Sequence, residues 1–234
     1  MAGENRLSRR YIGGLTGGAD RLLMVYDTER LQLVSYSELF RQGDIQIVDD
    51  AWRHRAPLVC QFHDLTTGTD FLVALNHLAR TDSGLRRKQA EALRLWAEAQ
   101  MLPVIAIGDY NFDYSFVTRT GNDAFTGFLE GGTWKWVKPD PLVDTNWADH
   151  DGDGNDDYPD SMLDIVFVAG AAQSWTAECD VVVRAEDVPD DQTTSDHRPV
   201  SCVIDVPSVA NGESIEVAIR KVLDNQVAAW NAAD

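Results

Sequence analysis

The chain has 234 residues, 44% hydrophobic and 25% charged, which suits one sizeable α/β domain or one domain with a fragment of another. Its formal charge of −18 at pH 7 opposes unassisted docking on duplex DNA, so a phosphate-cleaving enzyme would need bound metal or a local basic patch. No run reaches the ~18 consecutive apolar residues of a membrane span, and the polar start "MAGENRLSRR" lacks the apolar core of a signal peptide.

"RLLMVYD" (21–27) and "LQLVSYS" (31–37) predict two short strands joined by "TER" as a hairpin. "APLVCQFHD" (56–64) and "TDFLVALNHLA" (69–79) predict a second pair around the turn "LTTG". Over 81–100, Leu85, Ala92, Leu93, Trp96 and Ala99 recur at helical spacing. Pro103 then opens the strand "PVIAIGD" (103–109). A helix is expected within 120–130, then strands at 133–137, 161–170, 179–185 and 198–206. Strands dominate, with one clear helix to cover a face, which points to a mixed sheet layered with helices. Residues 1–206 are expected to form this domain. From Pro207 a short linker leads to an amphipathic helix carrying Ile215, Val217, Ile219, Val222, Leu223 and Val227. Cys60, Cys179 and Cys202 have no CxxC spacing, so they read as buried thiols rather than zinc ligands.

Polar clusters sit at four strand ends: Asn76-His77 and "GDYN" (Asp109, Asn111) after their strands, Asp164 at the start of "DIVFV", and Asp196-His197 before the last strand. Each alone also reads as a capped turn or an exposed strand end. All four together, at strand ends that can share one rim, make a ligand site. Carboxylates suit Mg²⁺, which neutralises charge on phosphate oxygens. An imidazole with an ordinary pKa near ~6.5 exchanges protons at neutral pH, and an Asp beside it can fix its tautomer. No GxSxG elbow, Walker loop or HExxH is present.

The segments "NHL", "RRKQAEAL", "IAIGDYNFD", "LDIVFV" and "TTSDHRPV" resemble those of the endonuclease/exonuclease/phosphatase superfamily, over roughly residues 11 to 206. The resemblance implies a four-layer α/β sandwich of two packed mixed sheets, as in deoxyribonuclease, with the site at one end. It implies that His197 contacts the scissile phosphate as acid or base and that Asp164 orients it. It further implies Asp196 as a Mg²⁺ or Mn²⁺ ligand, Asp109 as the group that positions or deprotonates water, Asn111 as a phosphate contact, and His77 as a second phosphate-contacting histidine. Family members open with further strands, one of which ends in a metal-binding Glu. "RRYIGGLTGGADRLLMVYD" matches the region after it, and Glu4 is not assigned that role. The expectation is therefore an N-terminally incomplete sandwich whose exposed edges favour self-association. "IEVAIRKVLDNQVAAWNAAD" resembles the opening helix of SnoaL-like domains; a helix docked on the sandwich is the alternative.

"DHDGDGNDDYPD" (149–160) places Asp149, Asp151, Asp153, Asn155 and Asp160 at positions 1, 3, 5, 7 and 12 of an EF-hand-type loop, with Gly154 at position 6. The loop reads as a Ca²⁺ site or as a solvated acidic turn. A structural Ca²⁺ would fit an extracellular or periplasmic home.

The expected function is metal-dependent phosphodiester hydrolysis, first of nucleic acid. A phosphatase or sphingomyelinase-like lipid phosphodiesterase is the second enzymatic reading, and a calcium-binding interaction module that no longer catalyses is the third. "RHRAP" (53–57) and "RTDSGLRRK" (80–88) are the basic clusters that could meet a polyanion.

Overall fold

A computed structural model describes residues 8–48, 53–147, 151, 153, 155–183 and 195–209. The expected helix beyond Pro207 and the position of Glu4 lie outside these, apart from the linker residues up to Val209. In chain order the strands are β1 (Arg9–Gly13), β2 (Leu23–Asp27), β3 (Leu31–Glu38), β4 (Arg41–Gln42), β5 (Ile45–Gln46), β6 (Leu58–Asp64) and β7 (Asp70–His77). Helix α1 (Ser83–Glu98) leads to β8 (Val104–Ser115), and α2 (Asp123–Leu129) leads to β9 (Trp134–Trp136). The described chain ends with β10 (Ser161–Ala169), β11 (Ala177–Val181) and β12 (Val200–Ile204).

Six strands form one mixed sheet in the order β3-β6-β7-β8-β10-β9. β7 and β8 are its parallel pair, because α1 carries the chain back between them. β6 and β7 form the expected hairpin, closed by Asp64, whose Oδ1 accepts from the amides of Thr66 and Thr67. Asp82 caps α1 through the Leu85 amide, and the helix buries Ala90, Leu93, Trp96 and Ala97 against the sheet. Each large apolar side chain so buried contributes roughly 1.5–3 kcal/mol. Ala99, expected on that stripe, is instead the exposed C-cap.

The hairpin expected between 21–27 and 31–37 does not form. β2 pairs with β1, and β3 pairs with β6. The reason lies at Arg30, whose guanidinium binds the buried Asp64 at 2.8 Å while its carbonyl accepts from the Leu65 amide. These contacts tie the start of β3 to the end of β6, so "TER" carries the chain between layers.

The sheet's second face is covered by two antiparallel pairs, β1–β2 and β11–β12. Helices, six-stranded sheet and these pairs make three of the four expected layers; no helix covers the outer side of the pairs among the described residues. Tyr11, Leu23 and Val25 on β1–β2 and Val203 on β12 are exposed there. The thiol expectation is corrected in part: Cys179 and Cys202 face each other across β11 and β12 and form a disulfide, with Cα atoms 4.1 Å apart. Strand register brings them together, which their 23-residue separation did not disclose. Cys60 stays a buried thiol, and burial pushes its pKa up to about 11.

Candidate active site

Strand register builds the site. His77 on β7 stands beside Asp109 on β8, and Asp109 stands beside Asp164 on β10, so one row crosses three neighbouring strands. The close approach of β7 and β8 needs Gly108. Its φ is +129°, and a Cβ there would lie 2.0 Å from the Asn76 carbonyl oxygen. Asn76 itself is buried, and its amide donates to the Ala74 carbonyl and the Tyr110 hydroxyl. It holds this turn of backbone rather than facing the row.

Just past the row the ladder breaks. Between the pairs Asp164↔Asp109 and Met162↔Tyr114, β8 carries Tyr110, Asn111, Phe112 and Asp113, where β10 carries Leu163 alone. Asn111 (φ 50°) and Asp113 (φ 49°) take left-handed backbone in this bulge. Tyr110 and Phe112 turn into the core, and Asn111 turns toward Asp109. The strand expected to end at Asp109 thus continues through a bulge to Ser115.

Asn111, expected to contact phosphate, lies behind Asp109. Asn111 is 3% exposed, and its amide donates to Asp109 Oδ2 at 3.0 Å and the Leu78 carbonyl at 3.1 Å. Both of its N–H groups are used in this arrangement, and one of them holds Asp109. Its backbone amide adds a bond to Asp109 Oδ1 at 2.8 Å.

His197, three residues before β12, reaches the row from the other layer. Its Nδ1 lies 2.6 Å from Asp164 Oδ2, and Asp196 Oδ1 lies 3.9 Å from its Nε2. His77 Nε2 lies 3.2 Å from Asp109 Oδ2. Four of the predicted residues therefore form two contacting pairs, His77–Asp109 and Asp164–His197, set side by side by the Asp109↔Asp164 register, with Asn111 behind and Asp196 beside them.

The protonation states separate. The hydrogen bond to Asp164 raises His197 to about 9, against burial. Burial lowers His77 to about 4, aided by the cations Arg55 and His197. Burial raises Asp109 to about 6, aided by the charge of Asp164. At neutral pH the site thus holds one imidazolium, one neutral imidazole and one carboxylate poised near neutrality.

Arg55 was seen in sequence as part of a basic cluster but not as part of the site. It pairs with Asp20, donates through Nε to the Asp20 carbonyl at 2.8 Å, and acts electrostatically on both His77 and Asp109. In the second cluster Arg86 is turned inward, onto the carbonyls of Ala79 and Arg80. Thr145, Asn146 and Trp147 were missed altogether. Asn146 bridges His197, and the Trp147 amide donates to the Asp196 carbonyl at 2.9 Å. A short polar run before an acidic loop carries no signal of that kind.

Asp109, Asp164 and Asp196 bring excess negative charge around His197, which a divalent cation would balance. Among the described residues, however, no group of three or more His, Cys, Asp or Glu is gathered to hold one. Asp196 is the candidate ligand, and other donors must come from water, substrate or residues outside the described set. In the acidic loop, Asp149 lies outside the described residues. Asp151 and Asp153 each accept from the backbone amide two residues on, at 3.1 and 2.8 Å, and Asn155 bonds Asp153. These are Asx turns, and Asp160 is exposed.

The sequence matches no family model and no curated protein. Solved structures do resemble it. A mannosyl-6-phosphatase of Bacteroides thetaiotaomicron superposes with a TM-score of 0.59 at 21% identity, over 85% of this chain and 78% of that one. D. rerio TDP2, complexed with a single-strand DNA product, gives 0.58 at 17% identity, over 86% and 79%. The human Nocturnin catalytic domain, with bound sulfate, gives 0.55 at 16% identity, over 85% and 74%. The chain has the fold of the endonuclease/exonuclease/phosphatase proteins.

Proposed function

We propose that the chain is a phosphoester hydrolase acting first on phosphodiesters, nucleic acid among them. The observation that carries this reading is the row itself: His77, Asp109 and Asp164 in register on adjoining strands, with His197 brought from the other layer to 2.6 Å from Asp164. Asp109 takes a proton from water as it attacks phosphorus. Asn111 keeps Asp109 aimed, through bonds to both carboxylate oxygens. His197 holds a phosphate oxygen and gives its proton to the leaving oxygen, while Asp164 steadies the imidazolium. His77, neutral, donates a hydrogen bond to the phosphate, and Arg55 adds positive charge nearby. A Mg²⁺ or Mn²⁺ at Asp196, completed by water and the substrate's phosphate, belongs to the proposal and would supply charge neutralisation.

A lipid-like phosphodiester is the second reading, favoured by one feature. Asp164 and His197 border a cavity of about 650 Å³ whose walls include Leu75, Ile107, Val200 and Ile204. The net charge of −18 favours such a substrate over a polyanion.

The test is hydrolysis of bis(p-nitrophenyl) phosphate, plasmid DNA and sphingomyelin, with Mg²⁺, Mn²⁺, Ca²⁺ or EDTA, beside His197→Ala. Metal-dependent cleavage lost in the variant is the expected result. Folded protein that cleaves none of them defeats the enzyme reading and leaves an interaction module. Three lesser proposals go with this one. Ca²⁺ at residues 149–160 rests on the ligand spacing. An extracellular or periplasmic home is supported by the Cys179–Cys202 disulfide. Self-association through the outer face of β1–β2 is supported by the exposed Tyr11, Leu23 and Val25, and light scattering would test it.

A further inference from the structure

We infer that Thr145 is the positioning residue of the Asp164–His197 pair, fixing the carboxylate and the imidazole against each other from one buried point. Thr145 is fully buried. Its hydroxyl oxygen accepts from the amides of Leu163 at 2.9 Å and Asp164 at 3.1 Å. Leu163 is the β10 residue that the bulge in β8 leaves without a ladder partner, so Thr145 fills the place of the displaced strand. Its amide donates to the Ser161 carbonyl at 3.1 Å, which binds it to the same strand a second time. On its other side the Thr145 carbonyl accepts from the Arg198 amide at 2.9 Å, and Asn146 bridges His197. Next to it, Asp144 holds the Arg198 guanidinium at 2.5 Å.

β10 belongs to the six-stranded sheet and β12 to the opposite layer. Asp164 and His197 therefore come from different layers, and their 2.6 Å contact needs something that grips both backbones. Thr145 does this, touching Asp164 directly and the residue after His197 directly. Valine keeps the shape of threonine but cannot accept the two amides, leaving them buried and unpaired. Serine keeps the acceptor. The hydroxyl, rather than the side-chain volume, therefore sets the pair's geometry.

The inference concerns the site in the proposed function, yet its first test does not depend on turnover. A short N–H···O bond from imidazole to carboxylate gives a strongly deshielded proton signal, assigned here by its loss in His197→Gln. The signal is expected in the wild type and Thr145→Ser and absent from folded Thr145→Val; Thr145→Ala is read in the same way should the valine variant not fold. Retention of the signal in folded Thr145→Val or Thr145→Ala, or its absence from the wild type, overturns the inference. On bis(p-nitrophenyl) phosphate, kcat is expected to fall roughly ten- to a hundredfold in Thr145→Val, with KM within about twofold and recovery in Thr145→Ser. A loss that serine does not restore counts against the hydroxyl. Wild-type protein that shows the signal but no turnover defeats the proposed reaction and leaves the Thr145 inference standing.

Discussion

Two regions of this chain are rich in aspartate, and they use it in opposite ways. In the row across β7, β8 and β10, Asp109 and Asp164 stand in register, one nearly buried and one paired with an imidazole. Around 151–160 the aspartates are spaced more regularly in sequence, yet Asp151 and Asp153 are exposed and bend back onto their own backbone. Burial and neighbouring charge push Asp109 up to about 6, whereas hydrogen bonds from Asn155 hold Asp153 below the usual carboxylate range. Perturbed protonation therefore follows strand register and desolvation more than the density of carboxylates along the chain.

The largest expected contrast lies in turnover. His197→Ala should lower kcat on bis(p-nitrophenyl) phosphate by on the order of 10²–10⁴-fold, while Asp153→Asn leaves it unchanged. Equal losses in both variants would erase the distinction between the regions. Asp164→Asn should come next. It removes the carboxylate that raises His197, so the imidazole should titrate near the ordinary ~6.5 in an NMR titration rather than near 9.

Stability against pH sharpens the same contrast. His197 has a folded pKa above its unfolded one, so its contribution is full below about 6.5 and is lost as pH rises through about 9. Asp109 also lies high, and its contribution is lost as pH rises through about 6. His77 lies low, so its contribution is lost as pH falls from about 6.5 through about 4. The window from 6.5 to 9 belongs to His197 among these three. Urea unfolding over that window should show declining stability in the wild type and a flatter profile in His197→Gln. Asp153, with a lowered pKa, should matter only in acid, where its contribution is lost as pH falls. The smallest effect is expected from Ca²⁺: a rise of a few degrees in Tm, removed by Asp153→Asn, checked by calorimetry. No rise at millimolar Ca²⁺ would leave the loop as a solvated turn.

The sequence disclosed what local pattern controls. "LTTG" announced the β6–β7 turn, helical spacing announced α1, and Asn-His or Asp-His placed at the ends of apolar runs pointed to the row. What it hid depends on contacts between distant segments. Arg30 and Asp64 sent β3 to β6 instead of to β2. Cys179 and Cys202 meet only through the β11–β12 register. Asn111 was marked by resemblance, but its bond to Asp109 depends on a left-handed bulge that the sequence does not announce. Thr145 carried no mark at all, since its importance comes from a gap that the bulge opens in the facing strand.

Gly108 bears on how freely this site can drift. At Gly18, also left-handed at φ +63°, nothing lies within 4 Å of an added Cβ, so asparagine or aspartate could stand there at small cost. Position 108 has no such latitude, because the carbonyl of the neighbouring strand already occupies the space. In a library of every single substitution, the two glycines should separate cleanly. Position 18 should show a graded tolerance, and position 108 should reject every side chain. A lineage that lost this glycine would have to part β7 from β8, and with them His77 from Asp109, before it could keep anything in its place.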